Sequence, residues 1–174
     1  MNGDIFVLRV ITSVSQLNID ELLAIYREES MCNGALRYPH CAPAQQLLKA
    51  ENEFIGYISE VFFRASGAFY ALWIENGHYC AALRMEAYRD GLLLESLETK
   101  QELRRRGYAH KLLTASLEYA ASLGFAGVYS HVDKRNVPSL RAHKKAGFQR
   151  ISESAAYIDG TVTQKSCTFY FDLK

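Results

Sequence analysis

The stretch from Phe69 to Thr99 constrains the fold most. Three apolar runs, Phe69–Ile74, Tyr79–Tyr88 and Leu92–Thr99, are separated by Glu75-Asn76-Gly77-His78 and Arg89-Asp90-Gly91. Asn-Gly and Asp-Gly supply the positive φ that tight hairpins need, so the runs read as an antiparallel meander. Such a sheet has to bury at least one face against another layer.

The flanking sequence supplies that layer. Ile5–Ile11 reads as a short strand. Asn18 or Asp20 can cap a helix through Met31, with Leu22, Leu23, Ile25 and Tyr26 as apolar positions. A loop from Met31 to Pro43 holds Gly34 and Pro39, and a second helix runs from Ala44 to about Phe63. Its apolar positions include Leu47, Leu48, Phe54, Ile55, Ile58 and Phe62. After the meander, Ala109, Leu112, Leu113, Ser116, Leu117 and Ala120 recur with helical spacing up to a cap near Gly124. Gly127–Val132 is a strand and Asn136–Ala146 a short helix capped by Gly147. Phe148–Ser152 and Cys167–Asp172 are strands, with a loop at Asp159-Gly160. The order β, α, α, β, β, β, α, β, α, β, β implies an α/β fold, a mixed and largely antiparallel sheet flanked by helices. The 174 residues contain no repeat or linker and read as one domain over 1–174.

Eleven Tyr and nine Phe argue against disorder. No apolar run is long enough to span a bilayer. The N-terminus, MNGDIFVLRV, carries an acid where a signal peptide carries basic residues, which points to the cytoplasm. Cys32, Cys41, Cys80 and Cys167 form no CxxC pair and have no histidine at zinc spacing, so they read as reduced thiols in or near the core and no metal is expected.

Charge is unevenly spread. The net formal charge is +1, yet Lys100–Arg150 holds eleven basic and three acidic residues, leaving −7 elsewhere. A cationic region in a neutral chain suggests a specific anionic ligand. Its centre is LRRRGYAHKLL, where three arginines precede the apolar periodicity of a helix. A helix N-terminus is already positive, so Arg104, Arg105 and Arg106 there call for a bound anion. Gly107 admits close backbone approach and Ala109 keeps the next turn small.

Arg104-x-x-Gly107-x-Ala109, after a strand and opening an amphipathic helix, resembles the acetyl-CoA signature of the GCN5-related N-acetyltransferase (GNAT) family. NVPSLRAHKKAGF, Asn136 to Phe148, follows the strand VYSHV and resembles the family's second conserved segment. The resemblance covers nearly the whole chain. It implies acetyl-CoA as acyl donor and direct transfer of the acyl group to an amine. It also implies that main-chain groups of Leu97, Glu98 and Thr99 pair with the pantetheine arm. Amides from Arg104 through Arg105, Arg106, Gly107 and Tyr108 to Ala109 would hold the pyrophosphate, with Asn136 and Ser139 facing the pantetheine and acyl end. Lys111, Arg141, Lys144 and Lys145 are available for the 3′-phosphate.

The sequence departs from the family at the chemistry. Many members carry a Tyr in the short helix as the acid near sulfur; here the position is His143. Some use a Glu early in the fourth strand, where this chain has Leu93. Glu95, of the same strand parity, is the candidate base, with His131 as a further option. Tyr70, Tyr79 and Tyr88 read as sheet-face packing, one of which could line the amine pocket. Arg37, in CNGALRYPHC, could pair with an acceptor carboxylate. The expected partner is a small-molecule or peptide amine, with the protein a monomer or homodimer. Neither nucleic acid nor membrane is expected, because no nucleic-acid motif accompanies the basic residues. An acyl-CoA-binding module without turnover is the rival reading, and a dinucleotide-binding domain fails for want of Gly-x-Gly-x-x-Gly.

Overall fold

Side-chain parity along the meander builds the molecule. In the computed structural model, which describes residues 6–174, β2 (Phe69–Glu75), β3 (His78–Tyr88) and β4 (Gly91–Thr99) pair antiparallel in sequence. Phe69 and Ala71 face one side of the sheet while Tyr70 and Leu72 face the other, and both sides are buried. Ile5, expected to open the first strand, and the preceding MNGD lie outside the described residues.

The first hairpin is the expected one, with Asn76 at φ 49° and Gly77 at φ 86°. The second differs: Arg89 takes the left-handed conformation (φ 55°), and Gly91 begins β4. β1 (Phe6–Ile11) adds to β2, and β5 (Gly127–Asp133) pairs parallel with β4. β9 (Ser166–Asp172) and β6 (Gln149–Ser152) follow, giving a seven-stranded sheet of order β1-β2-β3-β4-β5-β9-β6. The loop around Asp159-Gly160 carries an extra hairpin of β7 (Ala155–Ala156) and β8 (Val162–Thr163).

Helices cover both faces. α4 (Tyr108–Ser122) lays Leu112, Leu113 and Leu117 on the face of Phe69, Leu83, Met85 and Leu94, as its period dictates. α5 (Val137–Lys145) adjoins the same layer through Leu140 and Ala146. The opposite face is covered by α1 (Ile19–Ile25) and α3 (Pro43–Glu60), through Leu22, Ile25 and Ile58.

The single helix expected to end at Met31 is instead two. α1 is capped by Asn18, whose side chain accepts from Glu21 N at 3.2 Å, and breaks at Tyr26 (φ −91°, ψ 12°). α2 (Arg27–Arg37) then runs well past Met31. Gly34, read as a loop residue, sits inside α2, where a Cβ would lie 2.4 Å from the Gln46 carbonyl oxygen. The glycine is there so that α2 and α3 can cross closely. Leu48, expected on the apolar stripe, is exposed. Cys80 and Cys167 are buried, but Cys32 is exposed on α2. Among the described residues no helix is long and apolar enough to cross a membrane.

Candidate active site

β4 and β5 pair only from Leu92–Leu94 to Val128–Ser130. Past that point β4 continues along β3 and β5 along β9, so the two strands part. Unpaired strands around a gap leave backbone groups that need partners. A cavity of about 560 Å³ opens there, walled by α2, β4, β5 and the start of α5.

The β4 wall carries a defect. Ala82 pairs with Glu98 but Arg84 with Glu95, so Ser96 and Leu97 together oppose a single residue of β3. In this β-bulge Ser96 adopts φ 51°, a conformation costing a non-glycine residue roughly 1–2 kcal/mol. The buried Tyr26, at the α1–α2 break, donates its hydroxyl to Ser96 O at 2.8 Å. Burial pushes that phenol well above its ordinary pKa, so it stays a donor.

Carboxylates dominate the walls. Glu28 and Glu29 come from α2, Glu95 and Glu98 from β4, and Asp133 from β5, against the single cation Arg104. Most are committed. Glu95 Oε2 accepts from Arg84 Nη2 at 2.9 Å and Nε at 3.2 Å, and Arg84 lies over the rings of Tyr57 and Phe62. Arg104 Nη2 meets Glu28 at 2.5 Å and Glu98 at 3.1 Å, and its Nε donates to Thr99 O at 3.3 Å. Asp133 is held down at about 2 by the Arg135 side chain. Glu29 has no ion pair among the described residues. Desolvation, then the neighbouring Glu98, pushes its carboxyl above the ordinary range.

The arginines precede the helix instead of forming its first turn. A 3-10 turn over Gln101–Leu103 leads into them, Arg105 has φ 64°, and Gly107 (φ 84°) is the N-cap of α4. Gly107 offers no capping side chain and the first turn has no acid, so the amides of Tyr108 and Ala109 open α4 in the manner of an anion site. Arg105 and Arg106 are exposed; only Arg104 reaches the cavity wall, and its guanidinium is occupied by carboxylates. The Tyr108 hydroxyl donates to Glu75 Oε2 at 2.5 Å, fastening the start of α4 to β2.

At the other side, Asn136 caps α5 by accepting from Ser139 N at 3.1 Å, and both residues line the cavity. Leu97 and Glu98 line it too, whereas Thr99 is buried with its N–H on Glu98 Oε1. His143 is buried, with Nδ1 2.8 Å from Ser139 O. A carbonyl only accepts, so Nδ1 carries the proton of the neutral ring and Nε2, buried without a partner, carries the lone pair. Burial pulls its pKa down, which keeps it neutral. His131 reaches the wall with Nε2 on Ala156 O at 3.0 Å.

Two sequence alternatives fall away here, while the reading of three tyrosines as sheet-face packing holds. Arg37 is paired with Glu53 at 2.7 Å and is not on the cavity wall, so it is no receptor for an acceptor carboxylate. Tyr70, Tyr79 and Tyr88 are buried in the sheet faces, and none is on the wall. Glu28, Glu29, Arg84 and Tyr26 were not singled out. Two adjacent glutamates on a helix carry no local signal of a site, and Tyr26 sits at an apolar position of the helical pattern.

The sequence model of the Acetyltransferase (GNAT) family matches residues 21–148. Among curated proteins none matches. Solved structures share the fold. CoA-bound PaiA N-acetyltransferase of Thermoplasma acidophilum superposes with TM-score 0.63 at 13% identity, covering 95% of this chain and 99% of its own. Spermidine N-acetyltransferase of Vibrio cholerae, with CoA and spermine, gives 0.61 at 13%, covering 97% and 95%. The ribosomal-protein-S18-alanine N-acetyltransferase of Escherichia coli gives 0.60 at 14%, covering 98% and 95%. A matched family model over most of the chain, on the fold of that family, places this protein in the GNAT acetyltransferase family.

Proposed function

We propose that this protein transfers the acetyl group of acetyl-CoA to the amine of a small molecule or peptide that carries positive charge beyond the reacting nitrogen. The observation carrying this reading is the acidic cavity beside the bulged strand, where Glu28, Glu29 and Glu98 share the one lining cation Arg104, Glu95 and Asp133 being paired with Arg84 and Arg135, among the described residues. A neutral or anionic acceptor gains nothing from such a wall, while a second ammonium does. The spermidine and S18-alanine enzymes share only the fold, so neither names the acceptor here.

The donor site follows from the chain's own groups. Amides from Arg105 to Ala109 at the head of α4 receive the pyrophosphate; the Arg104 N–H, included on the sequence, is instead on Gln101 O at 3.3 Å. Leu97 and Glu98 offer main-chain groups to the pantetheine arm along the parted strand, an added-strand mode of binding, whereas Thr99, expected with them, has its N–H on Glu98 Oε1 and its carbonyl on Arg104 Nε. Asn136 and Ser139 face its acyl end. The exposed Lys111, Arg141, Lys144 and Lys145 are the cations available to the 3′-phosphate.

Transfer needs the ammonium to lose a proton before nitrogen can attack. Glu29 takes it: desolvation and the neighbouring Glu98 outweigh the pull of Arg84 and a hydrogen bond from Asn33, and the raised pKa makes it a better proton acceptor than an ordinary carboxylate. Glu95, the base expected from sequence, has one oxygen spent on Arg84 and serves as a brace. The amine nitrogen bonds to the thioester carbon, and the resulting oxyanion is met by a bulge amide. The C–S bond then breaks, the nitrogen gives up its second proton to solvent as the amide forms, and CoA leaves as its thiolate. His143 cannot protonate that sulfur in the tautomer it holds, because its N–H is on Ser139 O.

Thiol release from acetyl-CoA, measured with monoamines, diamines, polyamines, amino acids and lysine peptides, tests the reading. The expected order of kcat/KM follows acceptor charge and falls with salt. Tight acetyl-CoA binding without thiol release from any amine would overturn it in favour of a binding module.

A further inference from the structure

Tyr26 and Ser96 lie on different layers, yet one hydrogen bond joins the break between α1 and α2 to the bulge of β4. The phenol OH donates to Ser96 O at 2.8 Å. The ring is buried and packs against Phe54 of α3, with centroids 5.2 Å apart, so the hydroxyl has little freedom to wander. Its acceptor is the one residue of β4 in a left-handed conformation.

A peptide group is planar, and among the described residues every peptide bond is trans. The Leu97 N–H therefore points opposite to the Ser96 C=O. With that carbonyl aimed at Tyr26 in the α1–α3 layer, the N–H is aimed toward the side of the sheet carrying α5. There Ser139 and His143 complete the cavity wall beside Leu97. Donation to a peptide carbonyl also polarises the group and strengthens its N–H as a donor.

We infer that Tyr26 is a positioning residue: by gripping Ser96 O it both aims and polarises the Leu97 N–H that receives the thioester oxygen as charge develops. The inference rests on the acetyl-transfer reading, but not on knowing the acceptor. It also gives a role to the helix break. Tyr26 is itself the break (φ −91°, ψ 12°), so the residue at which α1 ends is the one whose hydroxyl holds the bulge.

The test reads the bond directly. Infrared difference spectra with 13C-labelled acetyl-CoA report the thioester C=O stretch in the bound state, before any amine is added. A hydrogen bond to that oxygen lowers the frequency. The expected result is a lowered stretch in the wild type, a smaller displacement in Tyr26→Phe, and a larger one when Tyr26 is replaced by a more acidic fluorotyrosine. Phe54→Leu, which loosens the same packing without touching the bulge, leaves the stretch where the wild type has it. Once an acceptor is found, Tyr26→Phe lowers kcat roughly tenfold or more, as loss of part of an oxyanion contact does, with KM for acetyl-CoA unchanged. Equal frequencies in wild type and Tyr26→Phe, or a shift in Phe54→Leu matching that in Tyr26→Phe, overturn the inference alone. No bound thioester band in the wild type overturns the acetyl-CoA reading and this inference with it.

Discussion

Glu95→Gln separates a brace from a base. Glu95 and Arg84 are 21% and 15% exposed, with two contacts to one carboxylate oxygen. At 2.9 Å and an effective dielectric near 20 the gross attraction is about 6 kcal/mol, most of it repaid as desolvation. Removing one partner strands the other, and allowing for partial exposure the loss is about 2 kcal/mol. For a chain of this length that corresponds to a fall in Tm of about 5–6 °C. Arg84→Met together with Glu95→Gln should recover part of the loss, because neither charge is then left unpaired. Urea unfolding of the four proteins gives the cycle, and thiol release with a working amine gives the rate. The expected outcome is a destabilised Glu95→Gln whose kcat falls less than tenfold under conditions where it is folded. A hundredfold loss of kcat with unchanged stability would refute this reasoning and restore Glu95 as the base.

Glu29→Gln should show the opposite pattern, a kcat lower by about 10²–10⁴ with the fold intact. The acid limb of its wild-type rate profile should fall at a pH above the ordinary carboxylate range, since the base must be deprotonated and burial raises its pKa. His143 and His131 both have lowered pKa values, so below about 6.5 the unfolded chain takes up protons before the folded one. Stability should therefore fall as pH drops through that range, and His143→Gln should show a shallower slope than the wild type in urea titrations. An unchanged slope would mean that His143 titrates freely. Gly34→Ala, which gains about 1 kcal/mol in an unconstrained helix, should instead destabilise by roughly 1–3 kcal/mol, because the methyl meets the Gln46 carbonyl; thermal melts give the sign.

Much of this architecture was written locally. Asn76-Gly77 fixed the first hairpin, the 3.6-residue period from Leu112 to Ala120 fixed which face of α4 is buried, and Asn136 fixed the start of α5. What was hidden depends on distant partners. Nothing around Tyr26 announces a helix break, and its hydroxyl's partner is a carbonyl on β4, far off in sequence. Gly34 carries the same local signal in a loop as at a helix crossing. Ser96 has no glycine-like preference for positive φ, so the bulge had no turn residue to mark it. Arg104 reads as an anion receptor until Glu28, from the far side of the chain, is brought against it. Sequence located the head of α4 and the mouth of α5; the acidic wall came only with the fold.

The measurement that bears most directly on the account is a thermal-shift titration with acetyl-CoA, CoA, NADPH and ATP at low and high salt. A ligand that binds only the native state raises the melting temperature by mass action. Acetyl-CoA and CoA should each give a saturable rise, NADPH and ATP none, and the rise should be lost in Gly107→Pro, which disrupts the backbone heading α4. No rise with either CoA species, or an equal rise with NADPH and ATP, would contradict the account.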